Sequence, residues 1–231
     1  PDLNGKMIDD TRIYEEGESM YRMYLVDYAG VDPETGEALI LGGGGDGNRI
    51  KTPNYTTAEG YKVATDDMMP TVYGGLGTTF EAYGFDASIQ LSYQLGGKIY
   101  DSGYRRMMHG GSSSFAGQNW HKDIYNAWTP ENTNTNIPRL NASDQYTNST
   151  STRWLTNANY LNLRTVTLAY NLPKSILNVI NIKSARVNVS AENLFMLKAR
   201  QGLNPQANYA GVSYNEYMPA KNFTIGLNVS F

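Results

Sequence analysis

The sequence predicts an all-β chain that forms a segment of an antiparallel transmembrane β-barrel with long extracellular loops. Three observations support this fold class. Two segments, Phe85–Leu95 and Lys221–Phe231, alternate apolar residues with residues that are polar or lack a side chain, as a strand with one apolar face requires. Their lengths match the roughly 9–11 tilted residues that cross a bilayer. The connections between predicted strands alternate between short and long, which is typical of outer-membrane barrels.

The strand predicted for Lys221–Phe231 has the cleanest pattern. Its apolar face consists of Phe223, Ile225, Leu227, Val229 and Phe231. We interpret it as the terminal strand used in barrel assembly, with this face toward lipid. A soluble sheet with one face on a core would show the same alternation, so this strand alone does not separate the two fold classes.

The remaining predicted strands bring the count to about six. They are Ser19–Ala29, Thr71–Tyr83, Phe85–Leu95, Tyr160–Leu172 and Ser184–Leu197. Tyr83–Gly84 has the composition of a tight hairpin turn between two of them. A change of register near Arg164 predicts a β-bulge.

The connections between these strands have very unequal lengths. Tyr83–Gly84 and Pro173–Asn181 are short, whereas the long connections are Gly30–Pro70, Asp101–Ala158 and Arg200–Met218. Compact soluble domains rarely contain loops beyond about 12–15 residues. If Phe231 lies at the periplasmic rim, every long connection falls on the outer side. Because barrels close with at least about eight strands, we expect the other strands to come from elsewhere.

The composition narrows the function classes. The 231 residues include 18 Tyr and no Cys, and the formal net charge is −3, which gives no electrostatic footprint for nucleic acid. No apolar stretch is long enough for a transmembrane helix. Both histidines, His109 and His121, lie in one long connection without the spacing of a metal or catalytic motif. We therefore expect no enzyme activity, no metal and no cofactor.

Several segments together carry a resemblance to a known family. The chain resembles the C-terminal portion of the SusC/RagA family of TonB-linked outer-membrane proteins, which are nutrient importers of the Bacteroidetes. The segments that carry it are Ala29–Gly36, Phe85–Asp101, Trp128–Thr135, Ile137–Arg139, Tyr160–Tyr170, Leu172–Ser175, Ala191–Phe195, Gly202–Pro205 and Phe223–Phe231. Each is a weak pattern alone, but their order and spacing are specific.

The resemblance implies a large, plugged barrel of about 22 strands in the outer membrane of a Gram-negative cell. Residues 1–231 would form the C-terminal part of the barrel domain, with the plug and the earlier strands outside this chain. The resemblance further implies TonB-driven import of oligosaccharides or peptides. The implied partners are TonB, which acts through the absent N-terminal region, and a SusD-like surface lipoprotein that captures the substrate.

The best candidates for contact with a ligand or with the lipoprotein lid are loop aromatics flanked by asparagines: Trp120, His121, Tyr125 and Trp128. Flat aromatic faces stack on sugar rings, and amides serve both donor and acceptor groups. The alternative, which we favour, is that these side chains pack the long loop onto itself or onto the lid. Trp154 and Tyr160 are expected in the interfacial aromatic belt.

Two other function classes remain open at this point. One is a secreted, soluble β-sandwich that binds glycans through its loop aromatics. The other is a small outer-membrane barrel that acts as an adhesin or a lipid-modifying enzyme. That barrel would need eight closed strands, and the enzyme would need a nucleophile that the sequence does not identify.

Overall fold

Of the predicted 1–231 domain, the computed structural model describes residues 5–44, 47–207, 210–214 and 216–231; the other positions lie outside the described residues. Its strands, in chain order, are β1 (Lys6–Asp9), β2 (Arg12–Glu15), β3 (Tyr24–Leu25), β4 (Tyr28–Val31), β5 (Ala38–Gly43), β6 (Arg49–Thr52), β7 (Val63–Ala64), β8 (Val72–Ala82), β9 (Phe85–Leu95), β10 (Lys98–Asp101), β11 (Leu155–Asn157), β12 (Tyr160–Asn171), β13 (Ser184–Lys198), β14 (Val212–Ser213) and β15 (Asn222–Ser230).

The chain divides into two compact units. We call residues 70–96, 157–205 and 217–231 the sheet unit, and residues 1–69, 97–156 and 206–216 the loop unit. The sheet unit contains the five long strands in the order β15-β13-β12-β9-β8, and every neighbouring pair is antiparallel. This order is the simple meander that the sequence predicted.

The two faces of the five-stranded sheet differ sharply in chemistry. The register aligns Ala87 of β9, Leu168 of β12, Val189 of β13 and Ile225 of β15 across one face. One residue further along, Ser88, Thr167, Ser190 and Thr224 are aligned on the other face. Side chains on the apolar face are largely exposed, including Leu168, Phe223, Ile225 and Leu227. Nothing covers this face among the described residues, which argues against the β-sandwich alternative.

The polar face carries an ion pair that spans three strands. Arg186 of β13 forms a salt bridge with Asp86 of β9, and Asn171 of β12 donates a hydrogen bond to the same carboxylate at 3.0 Å. Ala169 lies opposite Asp86 in the ladder and is buried. Its small side chain leaves room for the Arg186 side chain to reach across β12.

The predicted turns of the sheet unit are present. Tyr83 (φ 53°) and Gly84 (φ 86°) join β8 to β9 in left-handed conformations, as a two-residue hairpin turn requires. The Pro173–Asn181 connection contains the helix α2 (Lys174–Leu177) and the 3₁₀ turn Asn178–Ile180. The ladder shifts between Leu163 and Thr165, which confirms the predicted bulge.

The loop unit is built from short strands and turns around a buried core. Its sheets are β1-β2, β3-β7 and β4-β5-β6, and β10 pairs in parallel with β14 in the sheet β11-β10-β14. It also contains the helix α1 (Ser102–Met107) and the 3₁₀ helices Tyr55–Tyr61, Ser113–Phe115, Lys122–Asn126 and Thr152–Trp154. The main core cluster contains Met23, Leu25, Met68, Tyr100, Met108 and Trp154. No helix among the described residues is long and apolar enough to cross a membrane.

Two predictions about this region are wrong. Ser19–Ala29 does not form a sixth barrel strand: its Met23, Leu25 and Val26 are buried in the loop unit, and its paired residues lie in the short strands β3 and β4, which contact β7 and β5. Trp154 does not belong to an interfacial belt, because it is 2% exposed and its indole N–H donates to the Ser149 carbonyl at 2.8 Å. The apolar side chains of Ser19–Ala29 and the Trp154 indole instead fill a protein core.

Candidate functional site

The aromatic residues predicted to contact ligand lie in the loop unit, around the 3₁₀ helix Lys122–Asn126. Trp120 precedes this helix and is 47% exposed. Its indole N–H donates to the His109 carbonyl at 2.8 Å, and its ring stacks on the His109 ring with centroids 4.7 Å apart. Phe115 stacks on the same imidazole, also at 4.7 Å. One face of Trp120 is thus fixed while part of the side chain stays accessible.

The histidine at the centre of this stack is almost fully buried. Its Nδ1 accepts a hydrogen bond from the Gly111 N–H at 3.2 Å. Burial between two aromatic rings lowers the pKa of His109, and this effect outweighs a hydrogen bond to the Gln118 backbone that acts in the opposite direction. The folded loop therefore favours the neutral form of the His109 imidazole.

The structure gives His121 a local structural role. Its Nδ1 accepts a hydrogen bond from the Asp123 N–H at 3.2 Å and so caps the 3₁₀ helix Lys122–Asn126. Its ring contacts Tyr104 edge-on at 4.9 Å. The Tyr104 hydroxyl in turn donates to the Asp123 carboxylate at 2.9 Å. These contacts hold the turn that presents the neighbouring aromatic residues.

Trp128 joins two of the segments that carried the family resemblance. Its indole ring covers Gly36, where an added Cβ would lie 2.4 Å from the ring, and its N–H donates to the Pro33 carbonyl at 3.2 Å. The turn that contains Gly36 is closed by Asp32, whose side chain accepts hydrogen bonds from the backbone N–H groups of Glu34 and Thr35. These two hydrogen bonds lower the pKa of Asp32.

Arg139 ties a third such segment to the same turn. It donates to the Asp144 carboxylate at 2.8 and 2.9 Å, to Glu37 at 3.0 Å and to the Thr35 carbonyl at 2.9 Å. The hydrogen bonds to Asp144 raise the pKa of Arg139. Residues 32–37, 128 and 139 therefore form one clamp, which supports a packing role for Trp128.

Tyr125 differs from the other three candidates because it is 91% exposed. Among the described residues, no ring contact joins any two of Trp120, His121, Tyr125 and Trp128. The structure thus brings them into one region without forming a single aromatic platform. Trp120 and Tyr125 are the two that are exposed, whereas His121 and Trp128 are half-buried.

The terminal strand has the geometry that the sequence predicted for most of its length. β15 carries Phe223, Ile225, Leu227 and Val229 on the apolar face in register with β13, and Phe231 follows the last strand residue. Ile225 is 79% exposed. Gly226 faces Asn188, whose side-chain oxygen would lie 2.5 Å from an added Cβ, so a larger residue at this position on the polar face would require the Asn188 side chain to move.

A polar pocket of the loop unit was not predicted from the sequence. It has a volume of about 290 Å³ and is lined by Glu37, Ala38, Pro53, Asn54, Ser143, Asp144, Gln145, Tyr146 and Thr147. Its two carboxylates are already bound by Arg139. The available signal was the turn chemistry of Asp32–Gly36, but nothing in the sequence indicated that residues 143–147 would meet it. No group of residues suited to a metal ion occurs in the described part of the chain.

Comparison with known proteins gives a consistent result. The sequence is 28% identical to TonB-dependent receptor P3 of Formosa agariphila over 96% of this chain, and 25% identical to TonB-dependent receptor P26 of the same organism over 73%. The chain spans only 23% and 18% of the lengths of these relatives. No protein-family model matches the sequence.

The fold matches solved transporters over almost the whole chain. The structure of the RagAB peptide transporter superposes with a TM-score of 0.78 and 30% identity over 99% of this chain, which is 25% of that chain's length. The closed-closed state of the RagAB peptide importer gives a TM-score of 0.79 and 28% identity over 98% of this chain.

These relatives are named as receptors and transporters, which confirms the expectation of a non-enzymatic protein. They also identify the five-stranded sheet as a segment of an antiparallel transmembrane barrel that the chain alone does not close. The resemblance found in the sequence is therefore confirmed: over almost its whole length the chain is similar to TonB-dependent receptors and to the RagAB transporter, and it spans about a quarter of their length.

Proposed function

We propose that the protein containing this chain imports a nutrient across the outer membrane in a TonB-dependent manner. The observation that carries this proposal is the two-faced sheet. Its apolar face suits lipid, and its polar face offers hydroxyls, amides and the Asp86–Arg186 pair to an aqueous lumen. The chain performs no covalent chemistry in this mechanism. It supplies barrel wall and loops that bind and guide the substrate.

The dimensions of the strands support this placement. β8 and β9 contain 11 residues each. At roughly 3.4 Å per residue and a tilt of about 45°, such strands cover roughly 26 Å along the membrane normal. This height is close to the apolar band of outer-membrane barrels, which is about 25 Å. The short connections would then face the periplasm and the long connections would face the outside.

We further propose the partners that the resemblance implies. A plug and about 17 further strands would complete a barrel of about 22 strands, TonB would act on the plug, and a SusD-like lipoprotein would cover the long connections. The RagAB structures are described as a peptide transporter and a peptide importer. That description favours a peptide over an oligosaccharide as the substrate here.

Trp120 and Tyr125 are the proposed substrate or lid contacts of this chain. Both combine exposed ring surface with a fixed backbone position in or beside the 3₁₀ helix Lys122–Asn126. Aromatic faces of this kind bind peptide side chains or sugar rings and leave the chemistry of the substrate unchanged. Trp128 and His121 would hold the loop in place through their contacts with the Gly36 turn and with the 3₁₀ helix Lys122–Asn126.

Uptake by cells that express the full-length receptor tests this proposal. We expect the Trp120→Ala/Tyr125→Ala double variant to raise the half-saturating concentration of labelled peptide about three- to tenfold, as the loss of aromatic contacts predicts. Tyr214→Ala, which removes another exposed loop tyrosine, should leave uptake unchanged. Uptake that does not depend on TonB would contradict the mechanism. Uptake of oligosaccharides instead of peptides would reassign the substrate.

A further inference from the structure

A pocket lies on the polar face of the five-stranded sheet, beside the end of β13 that leads into the 199–221 connection. We call it the wall pocket. It has a volume of about 340 Å³, and all of its lining residues belong to the sheet unit. This volume lies at the lower end of the range for ligand pockets. The lining includes Asn162, Asn193, Met196, Lys198 and Met218.

The ladder brings two polar side chains of the lining together. Asn162 of β12 lies opposite Met196 of β13 and opposite Ser92 of β9, on the polar face. Lys198 follows two residues after Met196, so its side chain points to the same side of the sheet. Diagonal neighbours of this kind are roughly 7–8 Å apart. One ligand group can therefore contact Asn162 and Lys198 together.

The segment before β15 closes the wall pocket on one side. The Asn193 side-chain N–H donates to the Ala220 carbonyl at 3.1 Å, and the Lys198 ammonium contacts the Met218 sulfur at 2.9 Å. These contacts hold residues 218–220 beside β13. The pocket is therefore formed by the folded chain itself.

Asn162 provides a hydrogen-bond acceptor without a partner. The residue is 3% exposed, and its side-chain oxygen has no hydrogen-bond partner among the described residues. A buried acceptor that lacks a donor costs free energy, and a ligand can supply this donor as an N–H or O–H group. A peptide carries an N–H group at every residue except proline.

Lys198 provides a positive charge without an acidic partner. Its contact with Met218 is to a thioether, which is a weak acceptor. In the part of the chain that the structure describes, no carboxylate lies within salt-bridge distance of Lys198. None of the residues that line the pocket is acidic, and Lys221 adds a second lysine to the lining. Charge complementarity therefore favours an anionic group such as a carboxylate.

We propose that the wall pocket binds a carboxylate of a peptide that passes through the barrel. The carboxylate would bind the Lys198 ammonium, and the N–H of the same peptide residue would donate to the Asn162 side-chain oxygen. Two sources carry both groups on one residue: the C-terminal residue and an internal aspartate. The inference rests on the proposed peptide substrate and on the proposed lumen at the polar face.

Fluorescence anisotropy with the full-length receptor in an uncharged detergent tests the site. One peptide with a neutral dye at its N-terminus is compared in three forms: with a free C-terminus and no acidic side chain, as its C-terminal amide, and as this amide with one internal aspartate. We expect a carboxylate form to bind about five- to tenfold more tightly than the neutral amide, as one charge-assisted contact predicts. The form that shows this gain identifies the source of the carboxylate.

Variants of Lys198 assign the gain to the wall pocket. Lys198→Gln should abolish it, and Lys198→Glu should make the neutral amide the tighter ligand. Lys183→Gln is the matched control, because Lys183 directly precedes β13 at the opposite end of the strand. This control removes the same charge and should leave the gain intact. Folding of each variant is checked by resistance to unfolding in dodecyl sulfate without heating.

The role of Asn162 is tested with a fourth peptide, in which the amide nitrogen of the carboxylate-bearing residue is methylated. Methylation removes the N–H group and should weaken binding to the unaltered receptor about two- to tenfold, as the loss of one hydrogen bond predicts. It should have no effect on binding to the Asn162→Ala variant. An effect that persists in this variant would overturn the assigned role of Asn162.

The proposal is overturned if the unaltered receptor binds all three peptide forms equally, a comparison that needs no variant. It is also overturned if Lys198→Gln retains the gain as fully as Lys183→Gln does. Binding of none of the peptide forms would contradict the proposed peptide substrate itself. Equal binding of all forms contradicts the wall pocket alone, so the two failures are distinguishable.

Discussion

The loop unit and the sheet unit place their large apolar side chains in opposite ways. In the loop unit Met23, Leu25, Val26 and Trp154 are at most 2% exposed, as in a domain that folds in water. In the sheet unit, a whole row of apolar side chains on β15 is open to the surroundings. The difference indicates that the two units are adapted to different surroundings. The role of an apolar residue in this chain can therefore be interpreted only when its unit is known.

Buried polar groups occur in both units, and each unit contains some that have no hydrogen-bond partner among the described residues. In the loop unit the buried Asp101 side chain accepts a hydrogen bond from the Tyr104 N–H at 2.9 Å and begins α1. In the sheet unit the buried side-chain oxygens of Ser92 and Asn162 have no protein partner among the described residues. Both lie on the polar face, where the ladder pairs Ser92 with Asn162. Water in the lumen can satisfy such groups.

The largest expected effect is on the core of the loop unit. Trp154→Ala removes a fully buried indole together with its hydrogen bond to Ser149 and its contact with the Arg153 guanidinium. We expect a loss of about 3–5 kcal/mol in the free energy of local unfolding. Hydrogen–deuterium exchange of peptides around Met23–Val26 in the full-length receptor measures this loss. Unchanged protection there would place Trp154 outside the core.

The second prediction concerns the lipid-facing surface of the sheet unit. Leu168→Arg places a charge near the middle of the apolar face and should cost about 2–4 kcal/mol of folding free energy in a bilayer. Thr167→Arg, one residue away on the polar face, is the matched control and should cost far less. Refolding of the full-length receptor into lipid vesicles measures both. Equal losses would mean that the two faces do not meet different solvents.

A smaller effect is expected at the clamp of the loop unit. Gly36 has φ of 75° and lies directly under the Trp128 ring. Gly36→Ala should destabilise the turn by about 1–3 kcal/mol, because alanine is strained there and its methyl group meets the ring. Exchange of residues 32–37 measures the change. Gly17→Ala provides a control, since φ is 82° there but no atom lies within 4 Å of an added Cβ.

The smallest expected effect is a pH dependence of the loop aromatics. Burial lowers the pKa of His109 below its usual value near 6.5. As the pH falls below about 6.5, the unfolded chain binds a proton at His109 before the folded chain does. The stack is therefore fully stable above this pH and loses stability as the pH falls from there through the folded-state pKa. Exchange of residues 109–120 at a series of pH values measures this loss. His109→Gln should abolish the pH dependence, and a persistent dependence would assign it to another group.

The strands of the sheet unit could be predicted from the sequence because a barrel wall leaves its period-two pattern uninterrupted. The Tyr83–Gly84 turn and the bulge beside Arg164 were predictable because each is a visible break in this otherwise regular alternation. The loop unit was harder, because its packing depends on residues far apart in the chain. Ser19–Ala29 is rich in apolar and aromatic residues, as a membrane-crossing strand can be, and a tryptophan such as Trp154 is typical of a membrane interface. Only their tertiary contacts show that both belong to a protein core.

The candidate site was predictable as a region but not residue by residue. The clustering of aromatics with asparagines at residues 119–132 indicated a contact surface, and the structure leaves Trp120 and Tyr125 accessible. That Trp128 would cover Gly36 depended on a partner more than ninety positions away.

The clamp around Arg139 has a consequence for the order of folding. Asp32 can close its own turn through neighbouring backbone groups, but the Arg139 contacts to Thr35 and Glu37 span 104 and 102 positions. Contacts of such high contact order form slowly, because the entropy of closing a long segment is lost before the contact is made. The turn is therefore expected to acquire its local shape early and to be locked only when the chain beyond residue 139 has been synthesised and collapsed.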